Sequence, residues 1–529
     1  MAAFDWDFPY ASRRMPVLAA NVVATSQPLA AQAGLRMLLK GGNAVDAIIA
    51  TAAALTVVEP VMNGLGSDAF ALVWDGQRLR GLNASGRAPT AWKPDRFAGR
   101  GSMPVKGWDT VTVPGAVSAW AALWKAHGKL PFEELLAPAI EYAQDGYLVS
   151  PTIARQWQGQ VGAFRDQPGF ADAFTRGGRA PQAGERFSFP DQAATLREIA
   201  SSTGESFYRG RLARAMVDFS DATAGSFTLG DLAAHSADWV EPIAQAYRDY
   251  TLHEIPPNGQ GIAALIALGL LKHFDLASTP VDSAASVHLQ VEAMKLGFAD
   301  TYAHVADPAA MQVSAAQMLD PTYLAQRARS IDPSRAQDFG PGVPPQSGTV
   351  YLTAADKDGM MVSYIQSNYM GFGSGVVVQG TGISLQNRGA CFTLEPGHPN
   401  EVGPHKRPFH TIIPAFVTRA GVPVMSFGVM GGDMQAQGHL QMLVRLADYH
   451  QNPQAAADAP RWKVSKDGSL QVEQAMPVET VHGLEALGHR VVVMPCDSLD
   501  FGSAQLIHRL EGGYLAASEP RRDGQAVGF

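Results

Sequence analysis

Residues 330–348, SIDPSRAQDFGPGVPPQSG, run directly into residues 349–359, TVYLTAADKDG, and this junction divides the chain. The first stretch is rich in proline, glycine and polar residues and has no periodicity, the pattern of a linker or exposed loop. The second opens a β-like run that reaches Asp356, Lys357, Asp358 and Gly359, a hairpin signal, and MMVSYIQS follows as the return strand. Further strand-like runs occur at GVVVQGTGISLQ (375–386) and IIPAFVTRAGVPVMSFGV (412–429). Upstream the texture is helical. Ser26 and Pro28 begin a helix that stops at Gly41 and Gly42, and AVDAIIATAAALTVVEP starts a second. DAFALVWDGQRLRGLNA (68–84) reads as strand, turn, strand. Helical stretches then dominate to about Lys272, and residues 286–305 form another long helix. A helix-rich first part thus meets a strand-rich second part at Thr349, and no internal repeat or low-complexity tract is evident.

The 529 residues are 46% hydrophobic and 17% charged, with a formal net charge of -8. Such a chain can bury a large core and reads as globular and soluble. The acidic balance and scattered Lys and Arg argue against a nucleic-acid partner; the densest basic spot, His405 to Arg407, is too short for a phosphate track. The opening MAAFDWDFPYASRR lacks the charge and apolar run of a secretory signal, so a cytoplasmic location is expected. The longest apolar stretch, residues 47–58, falls well short of the ~20 residues that span a bilayer, so it reads as a buried helix and no membrane association is expected. Two cysteines, Cys391 and Cys496, make neither a disulfide framework nor a cysteine-based zinc site. No ligand cluster with metal spacing is evident, and neither a metal nor another cofactor is expected.

Common catalytic signatures are missing: no GxSxG elbow, HExxH, Walker loop, or GxGxxG opening a helix after a strand. The run GFGSG (371–375) leads from one strand to another and reads as a loop allowing close backbone approach. Thr349 differs through its position after a flexible segment and a small Gly348. A threonine hydroxyl needs an adjacent base, and its own α-amine can serve if the chain is cut just before it. That amine has an unperturbed pKa of about 7.7–8.0, so much of it is basic near neutrality. Without further context, a strand-initiating threonine is more often structural.

Several collinear motifs supply that context. NVVATSQPLAAQAGLRMLLKGGNAVDAIIATAAALTVVEPVMNGLGSDAFALV from Asn21, SGRAP from Ser85, VPGAVSAW from Val113, PPNGQGIAAL from Pro256, TVYLTAADKDG from Thr349, then GFGSG, KRPFHTIIPA and VMGG resemble the γ-glutamyltranspeptidase family over nearly the whole chain. The resemblance implies an α+β fold, the four-layer αββα sandwich of N-terminal-nucleophile hydrolases. It implies autocatalytic cleavage between Gly348 and Thr349, giving a large subunit (1–348) and a small subunit (349–529), and allows a dimer of that heterodimer. By the same resemblance Thr349 is the nucleophile and Ser367 stands where a family threonine hydrogen-bonds it. Gly431 and Gly432 match the pair forming the oxyanion hole, and Arg87 matches the arginine holding the substrate carboxylate. An ordinary strand serine is the competing reading of Ser367.

The family's acceptors for a substrate α-ammonium, Asn, Gln and Asp, align with Tyr369, Arg388 and Cys391, none of which is anionic. A cation there repels an ammonium, and a buried ammonium without acceptors is costly. The paired serines that help bind the carboxylate align with His410 and Thr411, which can still donate hydrogen bonds. The lid segment between Phe392 and Lys406 is also short. These departures favour a small anionic amide as substrate, oxamate-like or glutaryl-type, hydrolysed through an acyl-enzyme on Thr349. A γ-glutamyl hydrolase or transpeptidase acting on glutathione-type substrates is the alternative, and an unprocessed, non-catalytic binding protein is the alternative of another class. Arg388 either faces the pocket or pairs with a local acid and points away.

Overall fold

The strand that begins at the 348/349 junction sits inside a seven-stranded sheet. In the computed structural model, which describes residues 9–11, 14–339, 348–465, 467–495 and 498–529, Gly348–Ala355 pairs antiparallel with Met361–Tyr369 across the expected turn. Its other edge pairs with Val22–Thr25. The order across this sheet is Gln525–Gly528, Val22–Thr25, Gly348–Ala355, Met361–Tyr369, Asp68–Trp74, Leu79–Asn83 and Asp238–Val240. Every residue of Met361–Tyr369 is buried, as a strand covered on both faces requires.

One cover is a second seven-stranded sheet: Val17–Ala19, Gly513–Ser518, Ser503–Leu510, Val422–Met430, Ala415–Arg419, Tyr250–Glu254 and Ile243–Tyr247. The sheets meet where Thr353 Oγ1 lies 2.7 Å from Ser426 Oγ and the Ser363 hydroxyl donates to the Phe427 carbonyl at 3.3 Å. The other cover of the first sheet is Pro28–Leu39, Ala44–Val58 and Ala116–His127. The second sheet is covered by Gly261–Leu271 and Met434–Ala447, with Ala284–His304 packed on them. The result is the expected α+β, four-layer αββα sandwich.

Ala44–Val58 is buried along its whole length and starts from a capping box made by Asn43 and Asp46, so its apolar run is spent on core rather than on a membrane. Among the described residues no helix is long and apolar enough to cross a membrane. Three details depart from the sequence reading. Gln27, not Ser26, caps the first helix by accepting from the Leu29 and Ala30 N–H groups; Ser26 donates to Glu59 Oε2 at 2.6 Å. Of the run 375–386, only Val377–Val378 and Ile383–Ser384 are strand, because glycines with positive φ at 375, 380 and 382 interrupt it. The division at Thr349 is one of sequence texture and not of space, since both sheets interleave strands from before and after it.

Candidate active site

Thr349 is 1% exposed and lies at an irregularity in its strand pair: Gly348 faces Tyr369 and Val350 faces Gln366, so Ser367 and Asn368 together stand opposite Thr349. Bulges of this kind re-aim side chains. Here the Thr349 hydroxyl donates to Ser367 Oγ at 3.3 Å, and Ser367 Oγ also accepts from the Tyr369 N–H at 2.7 Å and Arg388 Nη2 at 3.3 Å. On its other side, Thr349 Oγ1 accepts from Gln435 Nε2 at 3.4 Å. Gln435 in turn takes the Ile413 N–H on its Oε1 at 3.0 Å, which fixes the orientation of its amide.

Arg388, in the short turn Arg388–Cys391, is fully buried. Its Nη1 donates to Thr411 Oγ1 at 2.8 Å and reaches Cys391 Sγ at 3.9 Å, and its guanidinium lies over the Tyr369 ring at 4.4 Å. Among the described residues its Nε has no hydrogen-bond partner and no carboxylate forms an ion pair with it. A buried guanidinium bonded only to neutral groups lacks the anion that would offset its desolvation. The reading in which it pairs with a local acid is not what the fold shows.

Behind Thr411, His410 Nε2 lies 3.1 Å from Asp68 Oδ2, both side chains being wholly buried. Burial, with the neighbouring Arg388 and Arg407, holds His410 well below its usual range, so it is neutral. Burial raises Asp68 to about 7, against the opposing pull of Arg388, the Gly86 and Gly115 N–H groups and Arg407. Burial likewise raises the Cys391 thiol.

Gly431 and Gly432 have φ of 119° and 66°. A Cβ on Gly431 would stand 2.9 Å from Gly502 Cα, so this turn requires glycine. Their carbonyls accept from the Met434 and Gln435 N–H groups and Gln260 Nε2 ties the Gly432 and Thr411 carbonyls together at 2.8 and 2.6 Å. Neither glycine N–H has a partner among the described residues, which leaves both free to donate to an oxyanion. Gly431 and Thr349 line one cleft of about 350 Å³.

The fold therefore gathers Thr349, Ser367, Tyr369, Arg388, Cys391 and Thr411, with His410 directly behind and Gly431 and Gly432 beside the nucleophile position. Arg87 makes no hydrogen bond or ion pair to this cluster among the described residues. Its guanidinium pairs with Asp307 Oδ2 at 3.0 Å and the His405 carbonyl at 3.1 Å, and its side chain is 43% exposed. Sequence reasoning missed Gln435, Asp68 and Gln260; the only signal for Gln435 was its place three residues after Gly432. It also missed the buried group His288, Glu292 and His489, whose ligand atoms lie within 4.8 Å of one another. His288 and Glu292 are four apart on one helix, but His489 joins them only through the fold. Those atoms are already engaged: His288 Nδ1 with His489 Nε2 at 2.8 Å, His288 Nε2 with the Asp332 carbonyl at 2.9 Å, and Glu292 with Lys295 and the Gln337 N–H. Cys496 and residues 340–347 lie outside the described residues.

The chain resembles known proteins along nearly its whole length. The family profile for gamma-glutamyltranspeptidase matches residues 30–529. The glutathione hydrolase-like YwrD proenzyme of Bacillus subtilis is 37% identical over 522 residues, covering 96% of this chain and 98% of that protein. The oxamate amidohydrolase proenzyme of Klebsiella pneumoniae is 38% identical over 515 residues, 95% and 97% of the two chains. The crystal structure of cephalosporin acylase from Bacillus halodurans superposes with a TM-score of 0.94 at 48% identity, covering 99% of both chains. The chain belongs to the γ-glutamyltranspeptidase family and is an enzyme with the N-terminal-nucleophile hydrolase fold.

Proposed function

We propose that the chain cuts itself between Gly348 and Thr349 and that the mature enzyme hydrolyses amides of a short acyl group ending in a carboxylate, oxamate being the simplest. In maturation, Thr349 Oγ1 attacks the Gly348 carbonyl and the acyl group moves from nitrogen to oxygen. Water then hydrolyses the ester, leaving a carboxylate on Gly348 and a free amine on Thr349. In turnover that amine takes the hydroxyl proton as Oγ1 attacks the substrate amide, and the Gly431 and Gly432 N–H groups receive the oxyanion. The amine product leaves with the proton, and water releases the acid from the acyl-enzyme. Ser367 and Gln435 hold Oγ1 between them.

The observation carrying the substrate assignment is Arg388, a buried guanidinium without an ion pair, one shared serine away from Thr349 Oγ1. A carboxylate set between Arg388 and Thr411 completes that cation, and its closeness to Oγ1 favours an acyl chain of few carbons. A longer, glutaryl-type acyl group is the second reading, and the likeness to a protein named as an acylase supports amide cleavage in either case. A γ-glutamyl group fits less well, since its ammonium would meet Arg388. The proenzyme relatives support self-cleavage.

Denaturing electrophoresis with N-terminal sequencing tests maturation: a fragment starting at Thr349 is expected, and Thr349→Ala should stay whole. Ammonia release from oxamate, set against p-nitroaniline release from γ-glutamyl-p-nitroanilide, tests the substrate. Preference for the γ-glutamyl compound would overturn the acyl assignment, and full activity of an uncut chain would overturn the mechanism.

A further inference from the structure

The cleft shared by Thr349 and Gly431 is not lined by Arg388, Tyr369 or Thr411. Thr349 thus borders two environments, and an amide substrate has two sides, the acyl group and the amine that leaves. The cleft is polar in an unusual way. Lys463, on the strand Trp462–Val464, is 3% exposed, lines the cleft, and its ammonium has no hydrogen-bond or ion-pair partner among the described residues. Arg522 is 7% exposed, and its Nε and Nη1 lack partners among the described residues. Gln156, also 7% exposed, has both amide atoms unpartnered among the described residues. Buried polar atoms without partners are rare in folded chains, and several residues carrying them in the lining of one cleft mark a place for a ligand.

The charge of that ligand follows from the lining. Asp500 is the one acid among the described lining residues, against the cations Lys463 and Arg522, and it forms no ion pair with either. Glu59, Glu519 and Asp523 act on Arg522 only through space, and burial raises Glu59 to about 7, so it is largely neutral below that pH.

We infer that this cleft is a leaving-group subsite in which Lys463 and Arg522 receive a carboxylate carried by the amine half of the substrate, with Gln156 offering a further donor. The preferred substrates are then acids at both ends: the acyl carboxylate on Arg388 and the amine's own carboxylate on Lys463 and Arg522. A cleft of about 350 Å³ lies in the range that holds a small molecule, such as an amino acid or an aromatic amino acid. The inference rests on Thr349 being the nucleophile.

Two amides sharing one acyl group test it, because acyl preference cancels in their ratio. N-oxalyl-4-aminobenzoate and N-oxalyl-4-aminobenzamide differ in leaving-group charge, and the carboxamide, the more electron-withdrawing of the two, biases intrinsic reactivity against the expected result. Mature enzyme should favour the benzoate by at least about tenfold in kcat/KM, the worth of one charged hydrogen bond. Lys463→Met and Arg522→Met should each shrink that ratio, and electrophoresis confirms that each variant is cleaved. Should Arg522→Met fail to mature, Lys463→Met carries the comparison. If the enzyme turns over neither amide, the acyl assignment is what fails. Calorimetric titration of the mature enzyme with 4-aminobenzoate and 4-aminobenzamide then decides the subsite independently of chemistry. A kcat/KM ratio near unity, a ratio unmoved by Lys463→Met, or 4-aminobenzoate binding no better than the benzamide would overturn the inference.

Discussion

At the scale of single residues, Arg388 separates function from stability. Its two donors bind neutral hydroxyls, so Arg388→Met removes a costly buried charge while leaving Ser367 and Thr411 their other roles. Replacing a buried ion by an apolar side chain is often neutral or stabilising. We expect Tm to hold or rise while kcat/KM for a carboxylate-ended amide falls about a hundredfold or more, charged hydrogen bonds being worth roughly 1.5–3 kcal/mol each. Arg87→Ala should cost less, since Arg87 is spent on Asp307; a larger loss at Arg87 than at Arg388 would restore the sequence-based assignment. Asp68 adds a pH dependence. It is neutral below about 7 and ionises above, where its charge competes with the substrate carboxylate for the field of Arg388, while His410 stays neutral. KM for an anionic substrate should therefore rise as pH passes 7, whereas kcat rises as the Thr349 amine, ordinarily titrating at about 7.7–8.0, loses its proton. Asp68→Asn should flatten the KM limb alone, and a wild-type KM constant from pH 6 to 8.5 would refute this. The positions of Thr349 and Thr411 were legible because each lies in a recognisable motif, and those of Ser367 and Arg388 because the flanking motifs anchor the alignment between them. The direction of Arg388 and the reach of Arg87 were not, because a side chain's direction depends on residues far away in sequence, here Asp307 and Thr411.

At the scale of elements, the turn between Val422–Met430 and Met434–Ala447 places two glycine amides beside Thr349. Ala at 431 would put a Cβ 2.9 Å from the Gly502 backbone and force a side chain into φ near 119°, costing on the order of 1–3 kcal/mol. Moving this turn also moves the proposed oxyanion donor, so Gly431→Ala should lower kcat by about 10²–10³-fold with a smaller change in KM and a lowered Tm. Loss confined to KM would place the turn in binding instead. The hairpin around residues 356–360 and the buried helix Ala44–Val58 were readable because their signals are local: a turn sequence in one, a cap followed by an apolar run in the other. The first helix cap was misread because Ser26 is of the favoured cap type, but Glu59 claims its hydroxyl and the Gln27 side chain accepts the Leu29 and Ala30 N–H groups instead. The strand signal at 375–386 failed for a similar reason, its β-branched residues being outweighed by glycines held at positive φ.

At the scale of the whole molecule, the cut proposed after Gly348 falls inside a sheet and not between lobes. Gly348–Ala355 is flanked by Val22–Thr25 from one side of the cut and Met361–Tyr369 from the other, Asp68–Trp74 pairs with Met361–Tyr369, and Tyr250–Glu254 pairs with Ala415–Arg419. The chain before the cut is also pinned to the later segment, through His288 on His489 and the Ala336 N–H on the Leu487 carbonyl. Local sequence texture could not show this, because strand neighbours in both sheets lie up to several hundred residues apart. Neither fragment can keep its half of a sheet alone without exposing unpaired strand edges. Cleavage should therefore leave one native species: a single peak on size exclusion containing both bands of a denaturing gel. What changes is the thermodynamics of unfolding. The uncut Thr349→Ala chain unfolds as one molecule, so its Tm should not depend on protein concentration. The cleaved enzyme unfolds into two, so its Tm should rise with concentration by mass action, while the denaturant m-value, which follows the surface exposed, stays close to that of the uncut chain. Fragments that separate under native conditions, or a cleaved enzyme that melts in two steps, would show instead that residues 1–348 and 349–529 fold as independent units.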